Sequence, residues 1–338
     1  MVPLNTAIGV NQKKNFVCGI ESPAMAAIET KSLTKRFGDV VAVRDLDLTI
    51  EEGEIFGFLG PNGAGKSTTI NILLDFMRPS SGTATVLGYD AQKDSRAIRD
   101  RIGILPDGYH LYDRLTAREH LEFAIDAKSA TNDPATLIDR LGLSQEEADR
   151  KVGGYSKGMT QRLALAAALV SDPDLLILDE PSSGLDPHGI AEMRELLQRE
   201  ADRGTAVFFS SHILSEIDAV CDRVGIMNDG ELVAQNTIDR LRELTGARSQ
   251  LLLSVEQIPN GLDLTTIDGV SDVSTEESML RVSFTDPATK PRVVQRVDAA
   301  ATITDIQSEE ASLEELFTSY TTGDEPEGEP DARVEVSA

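Results

Sequence analysis

Between residue 27 and about residue 235, short apolar runs alternate with helix-like segments. The runs predict strands at 27–33, 40–43, 46–50, 55–59, 83–86, 102–105, 175–178, 206–210 and 224–227. The segments between them predict helices at 66–74, 117–127, 134–141, 160–169, 187–200 and 215–220. Alternation of this kind predicts an α/β domain built around a largely parallel sheet. Asn228-Asp229-Gly230, set between two apolar runs, reads as a hairpin turn.

The flanks follow other patterns. Residues 1–24 have neither a helical nor a strand period and are expected to be a disordered extension. Met25 stands directly before the first strand-like run and is a candidate translation start. The α/β domain is expected to occupy 25–240. A smaller α+β module is expected over 241–321, with strands at 251–255, 280–284 and 302–306 and helices at 291–300 and 312–320. Residues 322–338 are rich in Gly, Pro, Asp and Glu without apolar period, which predicts a disordered acidic tail.

Charge narrows the reading. The chain has 57 acidic and 32 basic residues, a net charge of −25, so it lacks the basic footprint of a nucleic-acid binder. Aromatic residues are scarce, Trp is absent and Arg outnumbers Lys. So large an acid excess destabilises a compact state unless salt screens it, and at ~1 M salt the screening length falls to roughly 3 Å. A salt-rich, halophilic cytosol is the expected setting. Two cysteines, Cys18 and Cys221, supply neither a disulfide framework nor a Cys-x-x-Cys metal site. The apolar run at 163–170 is far shorter than the ~20 residues that span a bilayer, so any membrane role is expected to come through a partner.

Two motifs carry chemistry. Gly60, Pro61, Asn62, Gly63, Ala64, Gly65, Lys66, Ser67 and Thr68 fit the pattern G-x-x-x-x-G-K-[ST], after an apolar strand and at the opening of a helix. Glycines at these positions let backbone N–H groups turn onto phosphate oxygens, and the helix N-terminus adds positive dipole character. Lys66 is placed to reach the outer phosphates of a nucleotide and Ser67 to ligate Mg²⁺. Residues 175–180 read LLILDE: a buried strand whose end presents Asp179 for Mg²⁺ and Glu180 to activate a water. Together they indicate a P-loop NTPase.

Further stretches narrow the class. Residues 155–159 read YSKGM at a helix start just before the LLILDE strand, and this resembles the signature sequence of the ATP-binding-cassette (ABC) family, in the form found in exporters. The resemblance covers residues 27 to about 236. It implies that Ser156 and the Gly158 backbone bind a γ-phosphate held by another subunit, that Phe37 stacks on adenine, and that His212, in SSHILSE, contacts the γ-phosphate. It also implies that Ser183-Gly184-Leu185-Asp186 forms the loop crossing a dimer interface. The fold implied is a cassette with a mostly parallel core sheet, an antiparallel β subdomain and a helical subdomain. One position departs from the family. Where members carry Gln, or often Glu, after an apolar strand, this chain has Asp107, one methylene shorter than Glu, which is expected to meet Mg²⁺ through water.

The segment at 241–321, with the run ASLEELF at 311–317, resembles the accessory domain of cassettes serving drug, lipid, sodium or polysaccharide exporters. The resemblance therefore implies an ATPase subunit of an exporter. Its partners would be an integral-membrane permease and a second cassette, either a copy of itself or a paralogue. Its place would be the cytoplasmic face of the cell membrane. Soluble cassettes acting on ribosomes or DNA fit less well: this chain has one cassette, and no coiled-coil insertion separates Lys66 from Ser156. A cassette that builds metal clusters would lack the accessory module.

Overall fold

The computed structural model describes residues 26–244, 249–259, 262–276, 278–284 and 287–309. A six-stranded sheet forms the centre, made of β3 (Ile55–Leu59), β6 (Ile102–Leu105), β7 (Leu175–Asp179), β8 (Ala206–Ser211), β9 (Arg223–Asn228) and β10 (Glu231–Thr237), in the order β10-β9-β3-β8-β7-β6. Every neighbouring pair is parallel except β9 with β10. β3, β7 and β8 are buried along their whole length, which explains their unbroken apolar runs.

The pleat sends alternate side chains to two cores. Ile55, Leu59, Leu178 and Phe209 face one core. Around it lie α3 (Ala117–Lys128), α4 (Pro134–Arg140), α5 (Gln145–Ala148), α6 (Lys157–Ala168), α7 (Pro187–Ala201) and α8 (Leu214–Asp218). Phe56, Phe58 and Phe208 face the other, with ring centroids 5.3 and 6.2 Å apart. That second core is closed by α1 (Lys66–Leu73), α2 (Ser95–Arg101) and an antiparallel sheet. The sheet contains β1 (Ala26–Phe37), β2 (Val40–Glu51), β4 (Ser81–Val86) and β5 (Tyr89–Asp90), in the order β2-β1-β4-β5.

Helix starts agree with local chemistry. Thr116 and Glu119 form a reciprocal capping box on α3, and Asp186 caps α7 ahead of a Pro at its first position. An ion cluster centred on the buried Glu200 ties α4 to α7. Arg140 pairs with Glu200, which is 1% exposed, and with Asp172 at 2.9 Å, while Arg203 reaches Glu200 at 3.2 Å. On β3, a Cβ at Gly57 would lie 2.7 Å from the Cys221 Sγ and from Ile217, so only glycine lets α8 sit this close. Burial there pushes the Cys221 thiol well above its ordinary range.

The parallel sheet, the antiparallel β layer and the helical layer agree with expectation, and several boundaries differ. The runs at 40–43 and 46–50 belong to one strand, β2. Leu33 pairs with Leu46 and Lys35 with Val43, so one extra residue is accommodated near Asp45, whose φ is 42°. The Asp45 carboxylate accepts from the Thr34 hydroxyl, and the same hydroxyl accepts from the Asp45 N–H, each at 3.0 Å. The turn at 228–230 forms as expected. Asn228 faces Glu231, and Asp229 and Gly230 have φ of 45° and 85°, as a tight two-residue hairpin loop requires. It leads into β10, which the apolar pattern did not indicate, because its side chains are neither fully buried nor alternating.

After α9 (Ile238–Leu244), a third sheet comprises β11 (Ser249–Val255), β12 (Val270–Glu276), β13 (Met279–Phe284) and β14 (Ile303–Glu309), in the order β12-β13-β11-β14 and antiparallel throughout. Helix α10 (Lys290–Asp298) buries Val293 and Val297 against Leu251, Leu253 and Val282. The expected extension at 1–24, helix at 312–320 and tail at 322–338 lie outside the described residues. Among the described residues no helix is long and apolar enough to cross a membrane.

Candidate active site

The loop at 60–68 leaves the buried end of β3 and turns into α1. Gly63 and Gly65 have φ of 88° and 108°, a region side-chain-bearing residues rarely adopt. Space matters as well. A Cβ at Gly65 would fall 2.5 Å from the Ala42 carbonyl oxygen, whereas one at Gly63 would meet nothing within 4 Å. The loop is braced from below by the β9–β10 turn, where the Gly230 N–H donates to the Ala64 carbonyl at 3.1 Å and the Arg44 N–H to the Gly230 carbonyl at 2.8 Å.

Lys66 is 5% exposed, so its ammonium needs partners. It donates to the Gly60 carbonyl at 2.6 Å and lies 3.4 Å from Glu180 Oε1. Glu180 Oε2 in turn is 2.8 Å from His212 Nδ1. Residues from the segments that follow three separate strands therefore form one chain, Lys66–Glu180–His212.

Parallel register explains the convergence. Leu59 pairs with Ser211 and Asp179 with Ser210, so β3, β7 and β8 end on one edge and their following residues meet. Ser210, fully buried, stitches that edge. Its hydroxyl donates to Asp179 Oδ1 at 2.5 Å and accepts from the Glu180 N–H at 3.0 Å. Glu180 itself sits at φ 50°, a strained setting for a non-glycine residue and one often found at functional sites.

The hard oxygen donors suit Mg²⁺. Asp179, 8% exposed, has Oδ1 engaged by Ser210, and the Ser67 side chain is open to solvent at the start of α1. Asp107 is exposed in the loop after β6, the strand beside β7. That loop is fastened further along, where the Tyr112 N–H donates to His120 Nε2 at 2.9 Å and His120 Nδ1 contacts the Thr116 carbonyl at 2.8 Å.

Other expected residues stand apart. Phe37 is half exposed at the end of β1, with the Lys35 ammonium 5.1 Å from its ring centre. Ser156 caps α6 by accepting from the Met159 N–H at 3.3 Å, and Gly158 has only the Ser156 hydroxyl near the place of a Cβ. Among the described residues, no hydrogen bond or ion pair links Phe37, Ser156 or Asp107 to the Lys66–Glu180–His212 chain. One side chain joins the α6 start to the end of β7: Gln161 Nε2 donates to the Pro181 carbonyl at 2.5 Å.

Comparison with known proteins fits this geometry. Residues 43–183 match the family model described as ABC transporter. The chain is 32% identical to the linearmycin resistance ATP-binding protein LnrL of Bacillus subtilis over 306 residues, covering 87% of this chain and 98% of LnrL. The chain belongs to the ABC transporter family. It is an ATP-binding cassette subunit, an ATPase that powers transport through a separate permease. The cassette is also 44% identical over 221 residues to the bacitracin transport ATP-binding protein BcrA of Bacillus licheniformis, over 64% of this chain and 71% of that one. A solved dimeric bacterial ABC transporter cassette shares the fold with TM-score 0.57 and 26% identity, over 62% of this chain and 98% of that one.

Sequence motifs point to Lys66, Asp179 and Glu180, and the family resemblance to His212, but nothing points to Ser210, which hydrogen-bonds both Asp179 and Glu180. Glu216 is a buried carboxylate in α8 and also went unmarked, because it stands between the exposed polar residues Ser215 and Asp218 and only Ile217 is buried beside it.

The two loop glycines make different predictions. Gly65→Ala meets both a forbidden φ and a backbone oxygen, so affinity for a fluorescent ATP analogue should fall roughly tenfold or more, or ~1.4 kcal/mol and upward. Gly63→Ala meets the φ strain alone and should lose less. Titration of both variants checks this, and equal losses would contradict the role given to the Ala42 contact.

Proposed function

We propose that this cassette binds and hydrolyses Mg-ATP as a head-to-tail pair to drive an exporter of the kind that confers antibiotic resistance. The observation that carries the reading is the Lys66–Glu180–His212 chain at the end of a phosphate-type loop. The linearmycin resistance and bacitracin transport for which LnrL and BcrA are named support the cargo class, and the dimeric solved cassette supports the pairing. The cassette would span 25–240 and the accessory module 241–321, a division supported by their separate cores. The permease would hold it at the cytoplasmic face of the membrane.

In this reading the loop amides at 60–68 and the Lys66 ammonium take the ATP phosphates, and Phe37 stacks on adenine. Ser67 and Asp179 would hold Mg²⁺, with Asp107 reaching it through water. Bound there, Mg²⁺ would neutralise charge on the outer phosphate oxygens. Glu180 accepts the proton of the attacking water, and its contact with His212 fixes the carboxylate's direction. His212 also presents its ring to the γ-phosphate. Ser156 and the Gly158 backbone, at the start of α6, cap the γ-phosphate bound to the facing copy.

Glu180→Gln keeps size and hydrogen-bonding reach but cannot take a proton. Its ATPase rate should fall ~10²–10⁴-fold. With Mg-ATP the variant should elute as a dimer in size-exclusion chromatography, and without nucleotide as a monomer. Near-normal turnover would remove Glu180 as the base. A silent variant that stays monomeric at saturating ATP would favour a paralogous partner.

The cassette would also be adapted to a salt-rich cytosol, as its net charge of −25 suggests. Its thermal midpoint should rise steeply from dilute buffer to molar KCl. A midpoint flat across that range would remove this part of the proposal.

A further inference from the structure

Glu216 lies in α8, is 4% exposed and has no cationic partner among the described residues. Its Oε2 accepts two hydroxyl hydrogen bonds, from Ser182 and, at 2.9 Å, from Ser211. Its Oε1 is buried with no partner among the described residues. A carboxylate kept out of water on so few donors is costly, and an apolar side chain would fill the same space more cheaply. Its value must lie in what it holds.

The two serines stand at informative places. Ser182 is two residues after Glu180, and Ser211 directly precedes His212. Ser211 Oγ also accepts from the Ile213 N–H at 2.9 Å, closing the turn that carries His212. Glu216 thus joins the segment bearing Glu180 to the segment bearing His212. Ser210 joins the same segments on the other side, through the Glu180 N–H. Glu180, at φ 50°, is held from both directions.

We propose that Glu216 is a positioning residue for ATP hydrolysis, setting the Glu180–His212 contact through Ser182 and Ser211. The proposal rests on the reading that Glu180 and His212 serve hydrolysis. The Glu216 carboxylate touches neither of them in this arrangement; it acts by fixing the backbone on either side of their 2.8 Å contact.

The test is kcat and KM for ATP in Glu216→Ala, Glu216→Gln, the double variant Ser182→Ala/Ser211→Ala and the triple variant. Each is assayed at a temperature where circular dichroism shows it folded. Misplacing a reacting group by about 1 Å can cost ~10²-fold, so Glu216→Ala should lose roughly 10- to 100-fold in kcat with KM little changed. Glu216→Gln keeps an oxygen that accepts both hydroxyls and should recover most of that loss. The serine double variant should lose at least as much as Glu216→Ala, because it also removes the Ser211 acceptor of the Ile213 N–H, and the triple variant should be no worse than the serine double variant, because the Glu216 link is already gone there. Wild-type kcat in folded Glu216→Ala, or losses that multiply in the triple variant, would overturn the proposal. Should Glu216→Ala fail to fold, wild-type kcat in the serine double variant would overturn it alone. Glu180→Gln assayed alongside separates the two claims. Turnover retained there sinks the reading of the base. A silent Glu180→Gln beside an unaffected Glu216→Ala sinks only the positioning role.

Discussion

Three parallel strands, β3, β8 and β7, run in register and end on one edge of the central sheet. Everything chemical in this cassette depends on that shared edge. It delivers the phosphate-type loop, the Asp179-Glu180 pair and His212 to one place, although 113 residues separate Lys66 from Asp179 in sequence (179 − 66). Hydrophobic burial fixes the strands, since all three are fully buried on both faces. The edge itself is polar, and its order comes from hydrogen bonds between hydroxyls, carboxylates and backbone.

That edge holds several groups that are costly when taken singly. Lys66 is a buried cation, Glu180 a residue at positive φ, and Gly65 a backbone with a carbonyl oxygen where a Cβ would stand. They are compatible together. Lys66 and Glu180 offset each other's charge, and the Ser210 hydroxyl is used as both donor and acceptor. Stabilising terms elsewhere, in the two cores flanking the sheet and the Arg140–Glu200 cluster, carry this local strain.

Much of this was legible in the sequence, and the limits have physical causes. Continuous apolar runs reported β3, β7 and β8 directly, because strands buried on both faces need no polar positions. The glycine-rich loop and LLILDE reported the site, because positive φ and a backbone carbonyl beside Gly65, and a buried strand ending in two acids, restrict residue choice. β2 read as two strands since Asp45 breaks its alternation while the chain continues through a bulge. β10 and β12 were silent, being edge strands with little buried surface. Ser210 and Glu216 could not be assigned from spacing, because their partners are tertiary: Ser210 binds groups 30 and 31 residues away, and Glu216 reaches Ser182 across 34.

The strand-edge stitch, and not burial alone, places the Asp179 and Glu180 carboxylates that the proposed function uses. The most direct test is the ATPase rate of Ser210→Ala. Removing one hydroxyl leaves Asp179 Oδ1 and the Glu180 N–H without their shared partner, at ~1–3 kcal/mol of stability. The fold should survive with cooperative unfolding, while kcat falls roughly 10- to 100-fold through misplacement of Asp179 and Glu180. A folded Ser210→Ala protein turning over ATP at the wild-type rate would contradict the account.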